Sequence, residues 1–482
     1  MVAAPAGATT LREAFVQTYN NSPDLNAARA QLRGIDEGVP IAKAASRLGV
    51  TGVVGITQST TGLSRLDNGS RVATGQVNLS YPLFQGGRVR NGINAAEARV
   101  VAGRAGLRTV EGNTFAAAVS AYMDVIRDQA IVDQRKKNVD VLNTNLRASR
   151  DRFEVGDLTR TDVAQSEARL SLAKSQLATA QGNLTASREN YRRVIGAWPA
   201  TLEPPPPLPP LPKTSDEAVD IALEESPAIQ SAIATTQASQ YDVRAARAAR
   251  LPTFSAIGGS SYNDYLGTRA RQIGLPSNTP GIDQTQGQNN YGVSLSIPHY
   301  QRGMVGSRVR QAQAVESQAL EQSIGTERLV VSNVRSAFAI YQAAGAAIAG
   351  NQQAVSANEL ALEGVRAENT VGTRTVLNVL DAEQELLNAQ VALVTAQRDQ
   401  YVAGFALLNA MGRAQADDLS LDGGALYDPV ANYSRVRNRF GDWSDSPRYS
   451  SPSTRTTGAT PDDPDVKPYT PPDPAPVTSP RN

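Results

Sequence analysis

Arg374, Asn378 and Asp381 stand at i, i+4 and i+7 in a stretch of helical patterning, a spacing that puts all three on one helix face. Asp381 and the earlier Asp162 are, by themselves, carboxylates near helix N-termini, where the helix dipole favours them. The chemistry on offer is charge, not catalysis. The chain has no P-loop, no dinucleotide fingerprint, no Gly-x-Ser-x-Gly elbow and no zinc spacing. Its one histidine, His299, follows Pro298 at a predicted strand end and reads as an interfacial residue rather than a ligand or base. Cysteine is absent, which leaves no disulfide, thiol nucleophile, thiolate metal site or lipid-modified N-terminal cysteine. No enzyme, metal or cofactor is expected.

Two stretches must position these residues. One is Val371-Gly372-Thr373-Arg374-Thr375, and the other is Val155-Gly156-Asp157-Leu158-Thr159. In each, a long helical pattern stops at Val-Gly and another starts a few residues later. Glycine just past a helix end takes the left-handed conformation without penalty. Thr159 with Asp162 has capping-box spacing, and Thr373 or Thr375 can cap the later helix. Each stretch therefore reads as the tip of an antiparallel helical hairpin.

The chain has 482 residues, 40% of them apolar and only 5% aromatic. That is thin for several compact cores, and the alanine-rich helical stretches suit close helix–helix contact. A net charge of +1 gives no global case for nucleic acid. No run of 18 apolar residues predicts a transmembrane helix. The small residues of positions 1–8 resemble the surroundings of a signal-peptidase site and suggest a removed export signal with an added Met.

The sequence resembles itself. Ser22-Pro23 matches Ser226-Pro227 at an offset of 204, and Gly156 matches Gly372 at an offset of 216. The second copy should carry its extra residues in the polar Gly-rich loop of about 267–290. The expected organisation is a first repeat over 9–200, a proline-rich linker over 201–213 and a second repeat over 214–418. A mostly disordered Pro/Asp/Ser-rich tail is expected over 419–482. Each repeat should run helix–strand–strand–helix. Its strands are expected near 50–60 and 72–83, then near 252–263 and 291–298. Hairpin tips are expected near 153–160 and 369–375.

The longest patterns, 88–152 and 304–368, lack proline and would each measure about 97 Å if straight. A return helix of about 37 residues plus an early helix of about 25 nearly equals one long helix, so the shorter pair could stack alongside it. In the strands, Val77, Leu79, Tyr81 and Leu83 alternate with small or polar residues, as do Tyr291, Val293, Leu295 and Ile297. Strands of about ten residues suit a tilted membrane crossing. Four such strands cannot close a barrel, and lipid does not tolerate open sheet edges. Membrane strands of this kind would have to share one barrel among several chains.

In order and in both halves, these motifs resemble the TolC family of outer-membrane factors. The resemblance covers roughly residues 9 to 418. It rests on Tyr81-Pro82-Leu83-Phe84-Gln85-Gly86-Gly87, Arg152-Phe153-Glu154-Val155-Gly156, and Val371-Gly372-Thr373-Arg374-Thr375 with Asp381. It implies an α+β membrane protein, a homotrimer whose four strands per chain make a twelve-stranded β-barrel in the outer membrane of a Gram-negative bacterium. A long α-helical barrel would continue it across the periplasm. The implied function is a passive exit duct for type I secretion or multidrug efflux. Its implied partners are a periplasmic adaptor (membrane fusion protein) and an inner-membrane ABC or RND-type transporter.

The resemblance also assigns residues. Arg374 would tie the hairpins shut through Thr161 and Asp162. Asn378 and Asp381 match a pair of constricting aspartates, the first replaced here by an amide, which implies weaker cation selectivity. Asn369 stands where the family has a tyrosine partner of the Asp162 position. Val155, Gly156, Val371, Gly372 and Thr373 would dock the adaptor. A periplasmic coiled-coil scaffold or adaptor without a pore fits the long hairpins equally well, but not the alternating strands.

Overall fold

A computed structural model describes residues 9–59, 69–276, 279–419, 421 and 426–448. The segment 1–8, expected to be a residual export signal, and the tail beyond 448 lie outside the described residues.

Three helices open the chain: α1 (Leu11–Asn21), α2 (Pro23–Asp36) and α3 (Gly38–Ala44). Strands β1 (Gly49–Ser59) and β2 (Ser70–Phe84) follow, then the long helix α4 (Arg88–Glu154) and its return α5 (Arg160–Ile195). The order then resumes with α6 (Ser215–Glu225), α7 (Pro227–Ala248), β3 (Thr253–Asp264), the one-turn α8 (Arg269–Gln272) and β4 (Thr285–Ser296). Next come α9 (Met304–Thr370), α10 (Val376–Met411) and a short α11 (Ala431–Val436). Both α4 and α9 have 67 residues, about 100 Å of helix, and both α5 and α10 have 36.

The long helices start alike, at glycines whose positive φ turns the chain from strand to helix: Gly87 at 84° and Gly303 at 77°. Neither helix contains proline, so no backbone donor is lost along its length. The early helix of the first half, expected as one piece, is two. Glu37 interrupts it, and Pro40 in the following turn has no N–H to continue the ladder. β4 starts at Thr285, six residues ahead of the expected 291.

Helix α4 packs along α5 and also along α2 and α7; α9 packs along α10 and α7. The shorter helices thus share the length of the long ones. The main core lies partway up, where α1 and α6 cross beside the long helices. Phe115 meets the Phe15 ring edge-on at 5.2 Å and stacks on Tyr19 at 6.2 Å. Leu407, Leu408, Met411 and Tyr191 complete this cluster. The Tyr122 hydroxyl lies 2.9 Å from the Thr9 carbonyl and 2.7 Å from that of Glu203, joining the chain start to the linker. Linker residues Leu202, Leu208 and Leu211 pack against the same core.

The tail departs from the expected disorder over 426–448. The Tyr427 amide donates to the Tyr19 hydroxyl at 2.9 Å, and Asn432 Nδ2 donates to Asp36 Oδ2 at 2.8 Å. Val436 on α11 is fully buried. No described helix is long and apolar enough to cross a membrane.

Candidate functional site

Both tips are built from the same local bonds. At the first, the Gly156 amide donates to the Phe153 carbonyl at 3.0 Å, and the Asp157 amide donates to the Arg152 carbonyl at 2.8 Å. At the second, Gly372 donates to Asn369 and Thr373 to Glu368, both at 3.0 Å. These paired bonds satisfy the last helical carbonyls and need a left-handed residue between them, which Gly156 (φ 85°) and Gly372 (φ 83°) supply. Val155 is 79% exposed and Val371 is 74% exposed, so each tip projects an apolar side chain with no cover from its own chain.

The next helices begin with a hydroxyl cap. Asp162 Oδ2 accepts from the Thr159 amide at 3.0 Å and from its hydroxyl at 2.6 Å. Those two bonds hold the Asp162 carboxyl below the ordinary carboxylate range. Asn378 plays the same part at the other tip: its Oδ1 accepts from the Thr375 amide at 3.1 Å and from its hydroxyl at 2.8 Å. Thr373 does not cap; its hydroxyl donates back to the Glu368 carbonyl at 2.9 Å.

The charged residues pair within the protomer in ways the spacing did not suggest. Arg374 Nε donates to Glu368 Oε2 at 2.7 Å, across the tip, while Asn369 Nδ2 donates to the Arg374 carbonyl at 2.8 Å. Thr161 is exposed one residue before Asp162. Within one chain, therefore, Arg374 is held by Glu368, and Asp162 serves as a cap. Asp381 accepts a hydrogen bond from Arg169, which joins α10 to α5. Behind them, the buried Glu383 accepts from Arg366 at 2.8 Å and from Asn145 at 3.1 Å.

Sequence reasoning missed Glu368, Arg169 and Glu383. Glu368 was within reach, because it lies six residues before Arg374 across a glycine turn. Arg169 and Asp381 are 212 residues apart and share no local pattern.

At the other end of the molecule, the strands form one antiparallel sheet in the order β1-β2-β3-β4. Directly opposed residues share a face. Val50 opposes Leu79, Leu79 opposes Gly258, and Gly258 opposes Tyr291. Gly52, Val77, Ser260 and Asn289 form the next such row, and Tyr81, Ala256 and Val293 another. The opposite face carries the rows Thr51, Asn78, Gly259, Asn290 and Val53, Gln76, Ser261, Gln288. One face is thus largely apolar and the other largely polar. Every residue of β1 and β4 is exposed, Tyr291 to 91% and Val54 to 89%. His299 follows β4 at the end of the sheet nearest the helices.

A two-faced sheet with uncovered apolar residues, set on helices about 100 Å long and ending in tight hairpins, is the fold of solved outer-membrane channels. The family model for outer membrane efflux proteins matches residues 15–197 and 218–413, and the chain belongs to that family. The outer membrane efflux protein BepC of Brucella suis biovar 1 is 36% identical over 432 residues, which cover 89% of this chain and 91% of that one. The outer membrane protein TolC of Escherichia coli K12 is 29% identical over 65% of this chain and 64% of its own length. Among solved structures, CusC superimposes with a TM-score of 0.72 at 18% identity, covering 84% of this chain and 92% of that one. VceC from Vibrio cholerae gives 0.69 at 22% identity, over 83% and 96%. The protein is an outer-membrane duct for efflux or secretion, and the family consists of channels rather than enzymes.

Proposed function

We propose that three copies of this chain close a twelve-stranded barrel in the outer membrane and continue it as a hollow helical cylinder in the periplasm. The carrying observation is the sheet. It has one apolar face, one polar face and two outer strands, β1 and β4, each with one edge left unpaired. An open edge is not tolerated in lipid, so β1 of one copy must pair with β4 of the next, and closure turns the polar face inward around water. Four strands enclose no bore, whereas twelve do.

In this reading the duct is passive. Energy comes from an inner-membrane transporter of the ABC or RND type, coupled through a periplasmic adaptor. The exposed tips at Val155-Gly156 and Val371-Gly372-Thr373 are the surface offered to that adaptor. Thr161, Asp162, Asn369, Arg374, Asn378 and Asp381 surround the constriction. An N-terminal signal, cleaved on export, delivers the chain to the periplasm. The scaffold alternative leaves the apolar sheet face without a role.

Detergent-extracted protein in a planar bilayer decides between the two. A trimer with discrete conductance steps is expected. A water-soluble protein that gives no conductance would replace the duct with a scaffold.

A further inference from the structure

The four places where helix meets sheet share an unusual charge pattern. Lys43 and Arg47 precede β1, while Arg88 and Arg90 open α4. Arg244, Arg247 and Arg250 close α7 and lead into β3. Arg302, Arg308 and Arg310 follow β4. The segments 38–48, 85–96, 243–252 and 297–315 contain these ten cations and no Asp or Glu. Acids return immediately outside these segments, at Glu37, Glu97, Asp242 and Glu316, and in the tail at Asp442 and Asp445.

None of the ten forms an ion pair among the described residues. The bonds they make go to neutral acceptors: Arg88 Nη2 donates to Gln85 Oε1 at 2.8 Å, and Arg310 Nη2 to Ser307 Oγ at 3.1 Å. All but Lys43 and Arg47 are exposed.

The tail climbs to the same level. Its contacts advance in step with the N-terminal helices: Tyr427 with Tyr19, Asn432 with Asp36, Arg437 and Asn438 with Lys43, and Arg439 with Arg47. Lys43 Nζ donates to the Arg437 carbonyl at 3.1 Å, and Arg47 Nη1 donates to that of Arg439 at 2.7 Å. Arg439 in turn holds Ser444 through both side chain and backbone. These bonds place the backbone next to Trp443 beside the junction, where its side chain is 100% exposed, near a 78% exposed Phe440. Indole and arginine together are the side-chain types that settle at a bilayer surface.

We propose that this collar binds the anionic phospholipid headgroups of the leaflet on the helical side of the membrane, and that the tail inserts Trp443 at that boundary. The proposal rests on the duct reading for the position of the bilayer. Its occupant follows from charge complementarity: cations that form no ion pair among the described residues, in a ring at the base of an apolar sheet face, match phosphate in a plane. The collar would fix the height of the barrel in the membrane.

The test uses the full chain in nanodiscs of phosphatidylcholine with and without phosphatidylglycerol, with lipid retained on the protein counted by native mass spectrometry. The wild type is expected to enrich phosphatidylglycerol, and raised salt should abolish the enrichment. Arg88→Gln with Arg90→Gln, and separately Arg308→Gln with Arg310→Gln, should each lower the preference about tenfold. In a Trp198→Phe background, brominated lipid should quench Trp443 emission. Unchanged lipid preference in both double variants, with a changed ion selectivity of the pore, would place the cations on the bore and overturn the proposal. An unquenched Trp443 would remove the tail from it. Lipid counts need no conductance, so failure of the duct reading is seen separately, as wild-type protein without channel steps.

Discussion

Arg169 on α5 and Asp381 on α10 form an ion pair that joins the two hairpins of one protomer. The arginine side chain is 34% exposed and the aspartate 51%, so solvent leaves the pair worth no more than about 1 kcal/mol in stability. Its consequence is electrostatic. Of the two positions expected to constrict the bore, Asn378 is an amide, and the carboxylate of the other, Asp381, is matched by a cation on the neighbouring hairpin. Arg169→Gln should therefore raise cation selectivity while leaving the thermal midpoint nearly unchanged. Reversal potentials across a salt gradient measure this. An unchanged potential would mean that Asp381 does not face the conducting path.

Arg374 and Asp162 lie at the starts of different return helices, and both are engaged inside their own tips. A closed gate that also links hairpins must draw on the bonds they have left. Arg374→Ser combined with Asp162→Ala is expected to raise single-channel conductance above its resting level. If the double variant conducts like the wild type, the closed state is held by other contacts, and the pair Arg169 and Asp381 is the next to examine.

The cap at Asp162 also sets a pH expectation. Bonds from Thr159 lower this carboxyl below its ordinary 3.8. A depressed carboxylate contributes its full stability above the unfolded value and loses it only as pH falls through the folded one. Conductance and α5 helicity should therefore not change through this group between about pH 7 and about pH 5. Fraying of α5 should begin only below the ordinary carboxylate range. Circular dichroism of wild type against Asp162→Asn separates this cap from other acid effects.

The long helices were legible because no proline or glycine cap interrupts their patterns, and β2 because its apolar residues alternate. The first six residues of β4, from Thr285 to Asn290, were not legible. They include Gly287 and Asn289 on the apolar face, so no alternation marks them, and only pairing with β3 makes them strand. The break at Glu37 was readable in Gly38 and Pro40. The docking of 426–448 was not legible, because Tyr427, Asn432 and Tyr433 meet Tyr19, Asp36 and Arg104, hundreds of residues away in the sequence. The tips leave a trace in the sequence because the bonds that turn them are local. The side-chain ties of Arg169 and Glu383 are long-range and left no trace in spacing.

Gly372 offers a test that separates docking from folding. Nothing lies within 4 Å of the position a Cβ would take, so a larger side chain meets no steric wall. The penalty is backbone only, about 1 to 2 kcal/mol for an L-residue held left-handed. Gly372→Leu should leave trimers intact on unheated gels yet abolish export. Loss of trimers would reduce the role of Gly372 to capping the helix.

Tyr433 is the side chain expected to contribute most to the tail's docking. Arg104 lies over its ring at 5.0 Å and Arg437 at 5.9 Å. Arg104 Nε and Nη2 are buried and make no hydrogen bond, so the ring and the nearby Asp36 carboxylate are what answer their charge. Asp36, with its carboxyl pushed up by burial, and the Asn432 amide bonded to it complete the patch. Truncating the ring removes a partly desolvated cation–π contact, worth about 1 to 2 kcal/mol. That is enough to shift a short docked segment toward release while the long helices stay folded. Tyr433→Ala should make the tail sensitive to limited proteolysis, whereas Tyr433→Phe, which keeps the ring, should not. Equal resistance in both variants would mean that Val436 and the backbone bonds to Lys43 and Arg47 suffice to hold the segment.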